Sequence, residues 1–198
     1  MVKADCGGCE GCSRCCHGMG NSIILDPYDV YRLTTGLKKS MQELLEAAVE
    51  LNVVDGVILP NLKMQGAEEA CAYLDAEGRC SIHPYRPGIC RLFPLGRYYE
   101  NGGFSYFLQT GECAKENRSK VKVSKWIDTP GLTRNQQFTL QWHDLLHAME
   151  ERLAGEDEGK QREENLLLLR LFYLLPYEGT IDFYTQFTER MEHWNGQI

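Results

Sequence analysis

Five cysteines fall within eleven residues near the start of a 198-residue chain: Cys6, Cys9, Cys12 and Cys15 recur at every third position, and Cys16 doubles the last. The segment is rich in glycine and poor in apolar side chains, so it has neither the period of a helix nor the alternation of a strand. It reads as a loop that something else must organise. Two residues between cysteines let a tight turn aim both sulfurs at one centre, and Gly7, Gly8 and Gly11 permit the positive φ angles that such wrapping uses. Four more cysteines follow, at Cys71, Cys80, Cys90 and Cys113, and none lies in the last 85 residues.

Nine cysteines can be a disulfide framework or a metal site, and the compartment decides. The opening Met1-Val2-Lys3-Ala4-Asp5-Cys6 has no apolar stretch and no small-residue cleavage site, so a cytoplasmic location is expected. The longest apolar run, from Leu166 to Leu175, is interrupted by Arg170 and followed by Pro176, and no membrane span is expected. An odd number of cysteines in a reducing cytosol favours metal–thiolate chemistry.

Charge divides the chain in the same way. Residues 1–125 hold 15 Lys/Arg and 15 Asp/Glu, and residues 126–198 hold 6 and 13, so the net charge of −7 lies in the tail. With no long basic run, nucleic acid is not an expected partner. The one basic stretch, Lys115 to Lys125, reads more readily as a solvated loop than as a binding patch.

Local signals predict an α-rich α+β fold. Ser22 to Leu25 suggests a short strand. Asp26-Pro27 reads as a helix cap, with the helix running to about Thr35 and Gly36 stopping it. Ser40 and Glu43 form a capping box for a second helix with an apolar face at Leu44, Leu45, Ala48 and Leu51, and Val53 to Leu59 reads as one strand. Hairpins are expected around Asp75–Gly78, which would bring Cys71 near Cys80, and around Asn101–Gly103. Helices follow at about 134–154, 160–175 and 180–194. The expected organisation is an irregular cysteine-rich metal-binding region with short hairpins over residues 1–125. It packs as one unit on a C-terminal helical bundle over residues 126–198.

Cys9, Cys12, Cys15, Cys16, Cys71, Cys80, Cys90 and Cys113 make eight sulfurs, the ligand count of two [4Fe–4S] cubanes, two zinc sites or one larger cluster. Cys6 is then the spare. Neighbouring side chains at Cys15 and Cys16 are expected to diverge, which suits different irons or different centres better than one ion. No nucleophile elbow, P-loop or dinucleotide fingerprint is present, and the sequence names no catalytic residue.

The stretches Cys9-Glu-Gly-Cys-Ser-Arg-Cys-Cys16, Asp29-Val-Tyr-Arg-Leu33, Cys71-Ala-Tyr-Leu74 and Gly78-Arg-Cys-Ser-Ile-His-Pro-Tyr-Arg-Pro-Gly-Ile-Cys-Arg-Leu-Phe-Pro94 resemble the YkgJ-type cysteine-cluster family. The match runs over about residues 9–113. The resemblance implies a zinc- or iron-chelating protein, often described as containing Fe–S clusters or as an oxidoreductase, with the eight motif cysteines as ligands. It does not reach Cys6 or the helical tail.

A cubane with four thiolates carries about −2, so neighbouring cations are expected to compensate it. Arg86 and Arg91 bracket Cys90, and Arg14 and Arg79 adjoin Cys15 and Cys80. Pro87 is placed to start a short helix whose first amides face a sulfur. Tyr98, Tyr99, Phe104, Tyr106 and Phe107 are candidates for walling off solvent, or equally for an ordinary hairpin core. His17 and His83 are candidate alternative ligands, with His83 read rather as packing beside the cluster. His143 and His147 share one helical face, but with no cysteine nearby in sequence they read as interfacial histidines. The resulting expectation is a protein with one or two [4Fe–4S] clusters, acting in electron transfer with a redox partner protein or as an oxidoreductase component. The alternatives are a zinc-binding structural or partner-recruiting module, and an enzyme with an open iron site.

Overall fold

The computed structural model describes residues 1–5, 7, 12–115 and 117–197; Cys6 and Cys9 lie outside the described residues. Strand β1 (Val2–Asp5) is followed by α1 (Pro27–Leu37), α2 (Met41–Ala47), β2 (Val49–Val54), β3 (Val57–Leu62), β4 (Met64–Gln65) and β5 (Ala70–Cys71). Then come α3 (Gly88–Leu92), β6 (Leu95–Glu100), β7 (Gly103–Leu108), β8 (Ser119–Val121) and α4 (Val123–Ile127). The tail holds α5 (Leu132–Leu153), α6 (Glu158–Leu169), which runs into a wider π-type turn at Arg170–Leu174, and α7 (Phe183–Asn195). Among the described residues the strands pair in antiparallel twos, β1 with β8 and β2, β4 and β6 each with the next strand. The fold is α+β and rich in helix.

Both predicted helix starts are present. Asp26 and Asp29 form a reciprocal capping box for α1, and Ser40 and Glu43 form one for α2. Three local expectations are overturned. Gly36 does not stop α1; it lies inside the helix, where a Cβ would sit 2.4 Å from the Tyr85 ring, and Lys38 ends the helix in the left-handed region. Leu51 is not on the face of α2, which ends at Ala47; it lies on β2 and is exposed. The single strand read from Val53 to Leu59 is a hairpin: Asp55 and Gly56 both take positive φ, and this two-residue turn pairs Val54 with Val57. The expected strand at Ser22–Leu25 is an extended segment bridged to β3 at Ile24 and Asn61.

The main core draws on both parts of the chain, joining Leu25, Leu33, Leu44 and Leu62 to Phe138, Met149, Phe172 and Phe187. Asn165 on α6 fixes this junction, accepting from the Ile58 amide at 2.6 Å and donating to the Gly56 carbonyl at 3.1 Å. A smaller core of Leu92, Leu95 and Ile127, with Val2 and Trp126 packed on it, ties α3, β6, α4 and β1 together.

Candidate metal centre

Short-range turns place Cys15, Cys16 and Cys80, and long-range bridges bring the turns together. Arg14–Cys16 is a single 3₁₀ turn closed by the Cys16 amide on the Ser13 carbonyl. A bridge between His17 and Ala70, with the Gly18 amide on the Glu69 carbonyl at 2.9 Å, lays this turn beside Cys71 at the end of β5. The turn at Asp75–Gly78 then folds the chain back so that Leu74 bridges Cys80, and Ser81 N–H bonds the Tyr73 carbonyl. The predicted proximity of Cys71 and Cys80 follows from that reversal. Cys90 rides on α3, whose first amide, at Gly88, donates to Asp29 Oδ1 at 2.7 Å.

Six cysteines, Cys12, Cys15, Cys16, Cys71, Cys80 and Cys90, line one cavity of about 280 Å³. Its apolar walls include Met19, Ile23, Leu62 and Met64, and Arg79, His83 and Arg86 also face it. A second space of about 20 Å³ is lined by Cys113 together with Cys12 and Cys15, and by Arg14 and Trp126. Cys12, Cys15, Phe93 and Glu112 border both spaces. Seven of the eight expected ligands therefore surround two adjoining cavities; the eighth, Cys9, is outside the described residues. Among the described residues no three Cys, His, Asp or Glu side chains converge tightly enough to grip a single ion.

Cys15 and Cys16 both line the main cavity, and their thiols lie close enough to shift each other's ionisation. That proximity draws the Cys15 thiol down to about 6 against the cost of its burial, helped by a backbone amide and Arg86. It pushes the Cys16 thiol up, and burial adds to the rise. Burial holds the thiols of Cys71, Cys80 and Cys90 up as well, and the negative charge of neighbouring sulfurs reinforces each rise. Buried sulfurs that resist ionising side by side have the chemistry of soft-metal ligands.

The cations fall differently from the sequence reading. Arg86 lies in the main cavity and favours the thiolates of Cys15 and Cys80. Arg91 does not face the sulfurs. It is 4 % exposed, lies 5.8 Å from the Tyr28 ring centre, and gives its charge to Asp29 and Asp26. Cys90 and Arg91 are consecutive on a helix, about 100° apart, so they face different surroundings. The first amide of α3 likewise meets a carboxylate instead of a sulfur.

Both ring nitrogens of His17 are engaged, by Ser13 Oγ and the Glu68 carbonyl, each at 3.4 Å, whereas His83 faces the main cavity. The hairpin aromatics do not wall the cavities. Tyr98 and Phe107 are exposed, Tyr99 stacks on His143 with ring centres 3.8 Å apart, and Tyr106 bonds Gln136. His147 is on the surface beside Glu151. Sequence reasoning missed Asp29, which is 2 % exposed and anchors α3, and Glu112, which stands on the rim common to both cavities. The signs of Asp29 in the sequence are its position three residues after the Asp26 cap and its place at the head of the matching stretch Asp29–Leu33.

The family model CxxCxxCC, described as a "putative zinc- or iron-chelating domain", matches residues 8–125. No curated protein and no solved structure matches the chain.

Proposed function

The chain belongs to the CxxCxxCC family of zinc- or iron-chelating domains, and from that premise we propose that its sulfurs hold one or two iron–sulfur clusters, of [4Fe–4S] type, used in electron transfer or as an oxidoreductase component. The observation that carries this reading is the sharing of Cys12 and Cys15 between a six-cysteine cavity and a second space lined by Cys113. A closed zinc site uses four ligands around one ion. Sulfurs that surround extended space, in a number above four, suit a polynuclear group better. Cys9, Cys12, Cys15, Cys16, Cys71, Cys80, Cys90 and Cys113 are the proposed ligands.

Bound there, such a group would supply one-electron exchange. The chain's own part is to neutralise and to shield. Arg86 offsets thiolate charge in the main cavity and Arg14 lies beside the smaller one. Met19, Ile23, Leu62 and Met64 keep the floor of the main cavity apolar, which strengthens each charge interaction within it. Metal analysis with electron paramagnetic resonance on anaerobically purified protein is the test. Iron with acid-labile sulfide and visible absorption that bleaches on reduction are expected; colourless protein with stoichiometric zinc would replace this reading with a structural zinc module.

A further inference from the structure

The N-terminal strand converts the weak basic stretch of the sequence into a defined face. In the register of β1 and β8, Lys3 stands directly opposite Lys120, and both are exposed. Lys122 and Lys125, on the following turn and on α4, are exposed as well, and Arg118 adds a guanidinium whose Nε and Nη1 are buried with no hydrogen-bond partner among the described residues. None of the four lysines makes an ion pair with a described residue. Asp5, the acid nearest in register, is occupied by the Gly7 amide and the Ser119 hydroxyl.

Like charges directly opposite on a ladder destabilise it, and a two-stranded sheet this short has little stability to spare. An acidic surface laid on the face would relieve that repulsion. The residue after Lys125 reaches the smaller cavity. Trp126, on α4 beside Lys125, donates its indole N–H to the Leu92 and Phe93 carbonyls and lines the small cavity with Cys12, Cys15 and Cys113.

We propose that the face formed by Lys3, Lys120, Lys122 and Lys125 docks an acidic electron-carrier protein, with Trp126 lying between the docked surface and the sulfurs. The assignment of an electron carrier rests on the redox reading above. A compact acidic protein fits better than nucleic acid, because the whole chain carries −7 and a long polyanion would run past the face onto acidic surface.

The test uses the full chain, purified anaerobically, with an acidic ferredoxin as the probe. Binding of oxidised ferredoxin is measured by calorimetry and electron exchange with reduced ferredoxin by stopped flow. Both should weaken roughly tenfold or more between about 0.02 M and about 0.3 M salt. The same loss is expected in Lys3→Glu/Lys120→Glu/Lys122→Glu, at unchanged metal content and visible spectrum. Lys120→Gln/Lys122→Gln, which burdens the strand less, should give an intermediate loss. Binding that ignores these variants overturns the proposal, as does tighter binding of duplex DNA that the same variants abolish. Binding lost in the variants with no electron exchange in any form supports the docking face and removes the redox reading.

Discussion

Asp29 Oδ1 accepts the backbone amide of Gly88 at 2.7 Å across 59 residues of sequence, so the first helix of the protein holds the start of the short helix that carries Cys90. The same carboxylate provides countercharge for buried Arg91. One side chain thereby couples a helix cap, a buried cation and a sulfur position.

Asp29→Ala removes that anchor and leaves Arg91 buried without its nearest countercharge. A loss of about 3 kcal/mol is expected, seen as a melting temperature lower by on the order of 10 °C. Metal per chain should fall with it. Asp29→Asn keeps an acceptor for Gly88 and should lose less; equal melting of Asp29→Ala and the unaltered protein would show that α3 is held by other contacts.

Cys12 and Cys15 border both cavities, whereas Cys113 borders only the smaller. Serine at either shared position should therefore lower bound metal more than Cys113→Ser does. Elemental analysis of matched preparations gives the comparison, and a uniform loss from all three variants would contradict two distinguishable spaces.

Gly36→Ala improves helix propensity by about 1 kcal/mol yet drives a Cβ to 2.4 Å from the Tyr85 ring. Tyr85 belongs to the turn between Cys80 and Cys90, which Arg32 also ties to α1 through the Pro84 carbonyl. The variant should be destabilised by about 1–3 kcal/mol in urea unfolding. A stabilised variant would mean that the ring moves aside freely.

Burial, and next the charge of Asp29, raises the Asp26 carboxyl to about 7. The folded chain therefore binds more protons than the unfolded chain between the ordinary carboxylate range and about pH 7. Stability from this group falls as pH rises through that window. Asparagine caps a helix about as well as aspartate, so Asp26→Asn should gain on the unaltered protein at pH 8 and lose that gain at pH 5. Chemical denaturation at the two pH values measures this, and a pH-independent difference would show that Asp26 ionises normally in the fold.

The cap at Asp26 and the capping box at Ser40 were legible in the sequence because they are decided within four residues. The three tail helices were legible because their apolar period repeats over several turns. The hairpin at Asp55–Gly56 reads as one strand in the sequence, because the β-branched residues on either side mask the Asp-Gly turn. The end of α1 was not, because Gly36 answers to Tyr85, which is remote in sequence.

For the centre itself, the sequence alone supplied eight motif cysteines and their spacing. The tertiary structure alone decided which sulfurs share a space and which cation serves them. Spacing cannot distinguish Arg86, which faces the main cavity, from Arg91, which turns to Asp29. The direction of a side chain is set by the rotation of its own element and by whatever that element packs against, and both are resolved only when distant segments meet.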